Sequence, residues 1–409
     1  MEPKLYTAID LGSSRVICVS GFEKTAGEIE LVGVGMSSSS GVDKGTLSNP
    51  RLASDSLRLA VHQVEQQLGG PVTGAYFGVS GQGISTFNSI GSYSLPKGLS
   101  KITGQDVNRA MDAACSAGIP ASTEFLHIIP SSYAADGHWS PNAPIGEQGS
   151  KVEVKTHMVT GDSATLKSLI RTAEGARIKL TALVYKPIAS GVAVLRRGEI
   201  DKGVILADIG SHTTDVAVFS NGSIETSFTI PVGGYHISND LAVSLGASLS
   251  DAEELKKNHG HALPKMVEET EMVSLRRHGE SALVNVKRKL VAGLIRDRLE
   301  ELFTMIARVV EQEGLSIKQP SGIVLTGGGS KLAGIADMAH TYLDIPARIG
   351  LPHANINGRP VNDPSYASAI GTILWFTNPD FGDARSGLSI GQGSFTTRFK
   401  GWIKEVLPV

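Results

Sequence analysis

The alternation of hydrophobic and polar positions predicts a mixed α/β chain whose first elements are strands. Short apolar runs bounded by turn residues predict strands over 5–10, 15–22, 29–36 and 75–79. Apolar residues at helical spacing predict a helix over 54–68. The order β-β-β-α-β is typical of an α/β domain with a mixed sheet.

The pattern of residues 86–162 indicates a separate unit. Further strands are predicted over 89–95, 125–134 and 152–160. Thr103 and Asp106 have the spacing of a capping box and predict a helix that begins there. A Pro- and Gly-rich loop is expected over 137–149.

The opening strand–turn–strand recurs in the second half of the chain, where Ala207-Asp208-Ile209-Gly210-Ser211 corresponds to Ala8-Ile9-Asp10-Leu11-Gly12-Ser13. The second turn is expected to be longer, because His212, Thr213 and Thr214 precede Asp215. An α-rich, charged stretch follows over about 236–314. A buried strand over 322–326 then leads into three glycines and a predicted helix.

Composition and charge narrow the classes of function. The 409 residues are 41% hydrophobic, which is enough for a buried core. Lys and Arg total 38 against 40 Asp and Glu, so the net charge of −2 argues against a nucleic-acid-binding protein. The two cysteines cannot form a disulfide framework. The pattern predicts neither a membrane-spanning segment nor a signal peptide.

The repeated Asp-x-Gly turns are candidates for binding phosphate. Glycine lets a phosphate approach the backbone closely, and consecutive N–H groups and hydroxyls donate to its oxygens. The candidate residues are Gly12, Ser13, Ser14 and Arg15 in the first turn and Gly210, Ser211, His212, Thr213 and Thr214 in the second. Asp10 and Asp208 are expected to hold a hydrated Mg²⁺ through its waters. The alternative is a pair of ordinary β-hairpins, and for His212 a purely structural role.

A third element is the glycine-rich turn Gly327-Gly328-Gly329-Ser330-Lys331. Its position between a strand and a helix predicts bare backbone and a helix N-terminus beside a nucleoside or a phosphate. It lacks the residue order of a Walker A loop. The alternative is a glycine-rich connection that binds nothing.

These three turns, in this order, resemble the actin-like ATPase superfamily. Lys186-Pro187-Ile188-Ala189-Ser190-Gly191 and the segment 364–371 resemble the two connectors that join the lobes of such proteins. More narrowly, the chain resembles the FtsA family of bacterial cell-division proteins, through segments 40–45, 79–81, 127–130 and 250–253.

The resemblance implies an α/β, actin-like two-lobed fold with duplicated ribonuclease-H-like cores and an FtsA-type inserted subdomain. The implied divisions are 1–85 with 163–200 (subdomain 1A), 86–162 (1C), 201–235 with 311–376 (2A), 236–310 (2B), 377–394 (a flexible linker) and 395–409 (an amphipathic helix).

The resemblance also implies that ATP and Mg²⁺ bind in the central cleft. Glu253 would contact the ribose and Lys256 the base, and Gly233 and Gly234 join the set of ligand-binding residues. For Lys256 the alternative is a solvated helix face. Actins place a water-orienting Gln after a strand in this region, whereas residues 161–163 here are Gly-Asp-Ser, so we expect slow or undetectable hydrolysis and name no catalytic residue.

The last residues have the pattern of a helix that lies in a membrane surface. The apolar stripe contains Phe395, Phe399, Trp402, Ile403, Val406 and Leu407, and the basic residues are Arg398, Lys400 and Lys404. This predicts binding to anionic membrane. The alternative is a terminal helix that packs on the protein itself.

The family resemblance implies self-association into filaments on the inner face of the cell membrane at the division site. It implies that subdomain 2B binds the C-terminal tail of the tubulin-like protein FtsZ, and that subdomain 1C contacts later division proteins. The alternatives are a pilus-assembly adaptor, which shares this domain plan, and a small-molecule kinase of the same superfamily.

Overall fold

The structure is a computed structural model that describes residues 4–25, 27–96, 99–116, 122–279 and 282–377. In the first part of the chain the elements, in order, are β1 (Tyr6–Leu11), β2 (Arg15–Thr25), β3 (Glu28–Ser38), β4 (Val42–Asp43), β5 (Thr46–Leu47), α1 (Pro50–Leu68), β6 (Gly74–Val79), β7 (Ile84–Ser94), β8 (Ser100–Lys101), α2 (Gly104–Cys115), β9 (Thr123–Ala135), β10 (His138–Ser140), β11 (Gln148–Gly149), β12 (Lys151–Asp162), α3 (Ser163–Gly175) and β13 (Lys179–Tyr185).

The remaining elements are α4 (Lys186–Val194), α5 (Arg197–Lys202), β14 (Val204–Ile209), β15 (Thr214–Ser220), β16 (Ser223–Ile230), α6 (Gly234–Leu245), α7 (Leu249–His259), β17 (Met272–Arg276), β18 (Leu283–Lys287), α8 (Arg288–Gln312), β19 (Ile323–Thr326), α9 (Ile335–Leu343), β20 (Ala347–Ile349), β21 (Ala354–Ile356), β22 (Arg359–Pro360) and α10 (Ala367–Thr377). Short 3-10 helices cover Pro264–Met266, Gly328–Lys331 and Pro364–Tyr366.

Each lobe is built on a sheet with the same central plan. The first sheet has the order β13-β6-β1-β2-β3-β21-β22, and the second has the order β16-β15-β14-β19-β20. In both, an antiparallel run of consecutive strands (β1-β2-β3 and β14-β15-β16) is extended by a parallel strand, β6 beside β1 and β19 beside β14. The actin-like two-lobed fold inferred from the repeated turns is confirmed.

The segment 311–376, which the resemblance implies to be part of subdomain 2A, contributes a strand to the first lobe's sheet, where β21 pairs in parallel with β3 at the edge. Glu28 and Glu30 of β3 hold this strand and the turn that follows it: Asn355 donates to Glu28, and the N–H of Gly358 donates to Glu30 at 3.0 Å.

The inserted unit is a β-sheet of order β10-β9-β12-β7 that packs against α2. The predicted capping box begins α2: Asp106 accepts the backbone N–H of Thr103 at 2.9 Å and its hydroxyl at 2.6 Å. The predicted loop over 137–149 contains two short strands, β10 and β11. The insert therefore has a small core of its own, although its sheet also reaches the second lobe.

The insert contacts strand β16 of the second lobe along what we call the insert seam. Here Lys155 pairs with Glu225 at 2.8 Å, and Asn88 Nδ2 donates to the carbonyl of Glu225 at 2.8 Å. The buried His157 ring lies 2.7 Å from Ser227 Oγ through Nε2 and 2.8 Å from Asn88 Oδ1 through Nδ1. These bonds tie the first lobe's insert to the second lobe.

Helices α4 and α10 connect the lobes and cross at close range. An added Cβ at Gly371 would lie 1.8 Å from the carbonyl oxygen of Ala189, so only glycine fits there. Residues 367–375 of α10 are all buried, which anchors this crossing in the core. The aspartates of both turns lie beside this crossing, because Lys186 and Ser190 of α4 contact Asp10 and Asp208.

The later part of the chain contains strands as well as the predicted helices. The α-rich stretch over 236–314 contains α6, α7 and α8, but also an antiparallel hairpin, β17–β18, whose Val273 and Leu275 are buried.

Among the described helices, none has the length and apolar character needed to cross a membrane. The predicted linker over 377–394 lies, except for Thr377 at the end of α10, outside the described residues, as does the predicted helix over 395–409.

Candidate functional site

The two Asp-x-Gly turns have the same length and the same closing hydrogen bond. Gly12 N donates to Arg15 O at 3.0 Å, and Gly210 N donates to Thr213 O at 2.8 Å. The prediction that the second turn is longer is therefore wrong. Asp215 pairs directly with Asp208 across the two strands, so the residues before it already belong to the turn and to β15.

The two turns leave backbone donors free for a ligand. In the part of the chain that the structure describes, the N–H groups of Ser13, Ser14, Ser211 and His212 donate to no backbone acceptor. Consecutive N–H groups of this kind form a concave site for an anion. The arrangement suits phosphate oxygens, which only accept hydrogen bonds.

Acidic side chains lie at the base of the turns beside the connector α4. Lys186, the first residue of α4, places Nζ 2.6 Å from Asp10 Oδ1. Ser190, one helical turn later, donates its hydroxyl to Asp208 Oδ2. Asp215 is buried and accepts from Thr229 Oγ1 at 2.7 Å. One helix face thus contacts the aspartates of both turns.

The protonation of this cluster follows from its burial. Burial raises the pKa of Asp208 to about 7, and the negative charges of Asp215 and Asp10 add to the effect. Burial also raises the pKa of Asp215. Burial alone would lower the pKa of Lys186, but the fields of Asp10, Asp215 and Asp208 outweigh it and hold the pKa above its usual value. Lys186 is therefore a charged ammonium within an acidic cluster.

The segment at Gly233 and Gly234 rests directly on the second turn. Gly234 N donates to Gly210 O at 3.0 Å, and Tyr235 N donates to Ser211 O at 2.7 Å. A Cβ at Gly233 would stand 2.7 Å from each of the carbonyl oxygens of Gly210 and Ser211. The structure thus brings both predicted glycines to the second Asp-x-Gly turn.

Glu253 and Lys256 reach the same place from α7. Lys256 Nζ donates to Gly234 O at 2.7 Å and lies 2.6 Å from Glu253 Oε2. The pKa of Glu253 falls to about 2, since bonds from Lys256 and Ser238 outweigh the burial that would raise it. The solvated-face alternative is wrong for Lys256, because its side chain is only 13% exposed.

The glycine-rich turn closes the site from the other side of Asp208. Gly327 has a φ of +80°, and a Cβ on it would lie 2.1 Å from Asp208 Oδ1. Glycine is required there both for the conformation and for the close approach. A Cβ at Gly328 would lie 3.6 Å from Arg15 Nη2, so the guanidinium of the first turn reaches across to this element.

The structure corrects the prediction that a helix directly follows this turn. Residues Gly328–Lys331 form a short 3-10 helix, and the α-helix begins only at Ile335. Gly334, in the left-handed conformation, separates the two. The N-terminus of α9 therefore does not begin at the glycines, and what they offer is bare backbone.

Several side chains that were predicted to bind a ligand form hydrogen bonds or ion pairs within the protein. The hydroxyl of Thr214 donates to Val232 O at 2.7 Å, and that of Ser330 to Gly327 O at 2.7 Å. Lys331 pairs with Asp363 at 2.8 Å. These three side chains support the turns. Ser13 Oγ accepts the N–H of Gly45 at 3.0 Å.

His212 keeps both of its predicted roles open. Its ring stacks on Tyr235 with centroids 4.4 Å apart, which is a structural contact. Its Nδ1 is buried, and no described residue bonds to it. The first observation fits a packing role, and the second leaves one nitrogen for a ligand.

Sequence reasoning missed two residues of the cluster. Asp215 interrupts an otherwise apolar strand, which was a usable signal because an unpaired acidic residue there is costly. Lys186 was recognised only as part of a connector, since its nearness to Asp10 depends on the tertiary fold. In the segment 161–163, Asp162 caps α3 by accepting Thr165 N at 2.8 Å.

Comparisons with known proteins agree with this geometry. A family model described as "Cell division protein FtsA" matches residues 205–371, and one described as "SHS2 domain inserted in FTSA" matches residues 81–160. Among solved structures, a PilM-PilN type IV pilus biogenesis complex superposes with a TM-score of 0.65 at 16% identity, covering 90% of this chain and 97% of that one. MreB5 of Spiroplasma citri bound to ADP gives 0.55 at 12% identity, with 95% and 99% covered.

Relatives found by sequence share a higher identity with this chain than these solved structures do. The protein named "Cell division protein FtsA" from Borreliella burgdorferi is 32% identical over 377 residues, covering 92% of this chain and 91% of its own. The protein of that name from Neisseria meningitidis serogroup B is 30% identical, with 98% and 99% covered. With the actin-like fold and both matched models, these relatives show that the chain belongs to the FtsA family of cell-division proteins.

Proposed function

We propose that the chain binds ATP in the cleft between its lobes. The observation that carries this proposal is the pair of matching turns at Gly12 and Gly210, whose free N–H groups form a cradle beside the connectors. Glu253 and Lys256 on one side and the glycine-rich turn on the other supply surfaces for the ribose and base. Support also comes from MreB5, an actin-like neighbour whose structure is described as bound to ADP.

The Mg²⁺ implied by the family fits this site poorly. Asp10 is paired with Lys186, and Asp208 accepts the hydroxyl of Ser190. The role of Asp10 and Asp208 as outer-sphere ligands stays a prediction.

A glycine substitution in the second turn tests the nucleotide site. A Cβ at Gly210 already lies 3.0 Å from Thr213 O, so Gly210→Val should displace the turn and weaken ATP binding at least about tenfold. Gly198→Val is the matched control, because no atom lies within 4 Å of its Cβ position. Calorimetric titration with ATP is the measurement. Equal affinity in both variants would contradict the site, provided that circular dichroism shows both to be folded.

Turnover is expected to be slow. The segment where actins place a water-orienting Gln is Gly161-Asp162-Ser163 here, and its Asp162 caps α3. We expect phosphate release well below the enzyme median of about 10 per second. In this proposal ATP acts as a structural ligand that bridges the lobes. Rapid release, lost in Gly210→Val, would show that a catalytic group is present.

The cellular role that we propose follows from membership of the FtsA family. The chain forms filaments on the inner face of the cell membrane at the division site and tethers FtsZ there. Subdomain 2B, residues 236–310, holds the FtsZ tail, and the insert over 86–162 makes filament contacts and meets later division proteins. Cosedimentation of the chain with an FtsZ tail peptide, compared with a scrambled peptide, tests the tether.

Membrane contact is assigned to residues 395–409, with 377–394 as the linker. The apolar stripe and its three basic residues predict reversible binding to anionic vesicles. Trp402→Glu puts a charge in the middle of that stripe and should abolish sedimentation with vesicles. Lys400→Glu, on the basic side, should weaken it less. If Trp402→Glu sediments like the parent, the segment does not bind membrane.

A further inference from the structure

Lys186 places its ammonium beside Asp10, one of the two aspartates expected to hold a hydrated Mg²⁺. Its side chain runs beneath the first turn, with Nζ 2.6 Å from Asp10 Oδ1 and 3.4 Å from Leu11 O. The Lys186 and Asp10 side chains are only 13% and 15% exposed. A charged group so poorly hydrated persists only where opposite charge compensates it. Asp10, Asp208 and Asp215 supply that compensation.

A hydrated Mg²⁺ would compete with this arrangement. To hold the ion through its waters, Asp10 would have to accept from those waters with Oδ2 alone, because Oδ1 pairs with Lys186. A divalent cation beside the ammonium would also be repelled by it. On the other turn, Asp208 accepts from Ser190 and packs against Gly327, which leaves it little room for a hydration shell.

We propose that Lys186 is the resident cation of the phosphate site, so that the chain binds nucleotide without Mg²⁺. The proposal rests on the nucleotide binding proposed above and specifies its ligand as the metal-free nucleoside polyphosphate. The ammonium offsets the charge of the aspartates and lets the polyphosphate approach the free N–H groups of the turns. Because the lysine begins α4, the same charge lies at the junction of both lobes.

The decisive measurement needs no variant. The full chain is titrated calorimetrically with ATP in excess Mg²⁺ and again in EDTA. We expect the two dissociation constants to agree within about fivefold. A larger loss of affinity in EDTA overturns the proposal, because it shows that the metal supplies the charge.

A charge variant sharpens the test. Lys186→Gln should weaken ATP binding in EDTA at least about tenfold, and Mg²⁺ should restore much of it, because the removed charge leaves the position open to a metal ion. Lys167→Gln, on the exposed surface of α3, is the matched control and should bind like the parent. Unchanged binding by Lys186→Gln in EDTA overturns the proposal. If that variant does not fold, Lys186→Arg keeps the charge and should retain metal-free binding.

The outcomes separate this inference from the proposed function. Binding that appears only with Mg²⁺ overturns the resident-cation proposal and leaves the nucleotide site intact. An absence of binding in both buffers contradicts the nucleotide site and the resident cation together. Binding in both buffers that is lost in Gly210→Val supports both.

Discussion

The turn at Gly12 and the turn at Gly210 close with the same hydrogen bond, yet the aspartate before each one has a different partner. Asp10 pairs with the ammonium of Lys186, whereas Asp208 accepts from the hydroxyl of Ser190. Both partners lie on α4, four residues apart, and so on one face of that helix. A single helix therefore serves the two copies with different chemistry.

This difference shows that the duplication preserves the backbone of the turn but not the partner of its aspartate. The backbone of the turn is fixed by its glycine and its closing bond, which recur in both lobes. The neutralising charge is not repeated, because there is one connector α4 and it presents one lysine to the cluster. In the first turn, the negative charge of Asp10 is therefore balanced by the ammonium of Lys186. In the second turn, the pKa of Asp208 is raised to about 7, so part of its charge is lost at neutral pH.

The largest expected effect comes from removing the charge at the first turn. Lys186→Gln leaves Asp10 unpaired beside two further carboxylates and should lower the free energy of unfolding by about 3–5 kcal/mol. Ser190→Ala removes one hydrogen bond to a carboxylate and should cost about 1.5 kcal/mol. Urea unfolding monitored by circular dichroism compares the two.

The double variant Asp10→Asn/Lys186→Gln is the control for this prediction. It removes both charges and should recover most of the loss, because the cost lies in leaving one charge unpaired. Equal losses for Lys186→Gln and Ser190→Ala would show that the two aspartates are held equivalently, and the comparison drawn here would fail.

The insert seam is a second difference between the lobes, and it predicts a pH dependence. Burial, with a smaller effect from Lys155, lowers the pKa of His157 from 6.5 to about 4. Between these values the unfolded chain binds a proton that the folded chain does not. The contribution of His157 to stability should therefore be complete above pH 6.5 and fall by about 3 kcal/mol as the pH drops to 4. The raised pKa of Asp208 acts in the opposite sense over this range, so the effect is measured as a difference from a His157 variant. Thermal unfolding across this range measures it.

His157→Gln is the matched variant, because an amide retains hydrogen bonding but does not titrate. Relative to the parent, it should remove the loss of stability that protonation of His157 causes between pH 6.5 and 4. His138→Gln, at an exposed position of β10, should leave the profile unchanged. A slope that persists in His157→Gln would assign the proton uptake to other groups.

The smallest expected effect compares the serines that follow the turn glycines. Ser13 Oγ accepts from Gly45 N at 3.0 Å, so Ser13→Ala should cost at most about 1 kcal/mol. Ser211 has no such bond to a described residue, and Ser211→Ala should stay within about 0.5 kcal/mol of the parent. Urea midpoints distinguish them. The reverse order would mean that the hairpin β4–β5 does not brace the first turn.

Local pattern predicted most of the framework and some of the site. The α-rich stretch predicted over about 236–314 contains the long amphipathic helix α8, Arg288–Gln312. Helix α1 begins earlier than predicted, since Asn49 caps its N-terminus ahead of Pro50. Both phosphate turns were found because Asp-x-Gly occurs twice at the end of a strand.

What the sequence could not supply depends on contacts between distant residues. Asp10 and Lys186 are far apart in the chain, and no pattern at either position indicates the other. The pairing of β21 with β3 likewise joins the two ends of the described chain. The error about the second turn arose from counting residues up to Asp215, whereas strand pairing decides where a turn ends.

The insert seam has a consequence for how the lobes can move. The contacts of the seam cross from one lobe to the other. If the cleft opened by a rotation of one lobe against the other, Lys155 and Glu225, Asn88 and the same glutamate, and His157 and Ser227 would have to separate. A partner that pulled the insert away from β16 would remove that constraint without touching the Asp-x-Gly turns.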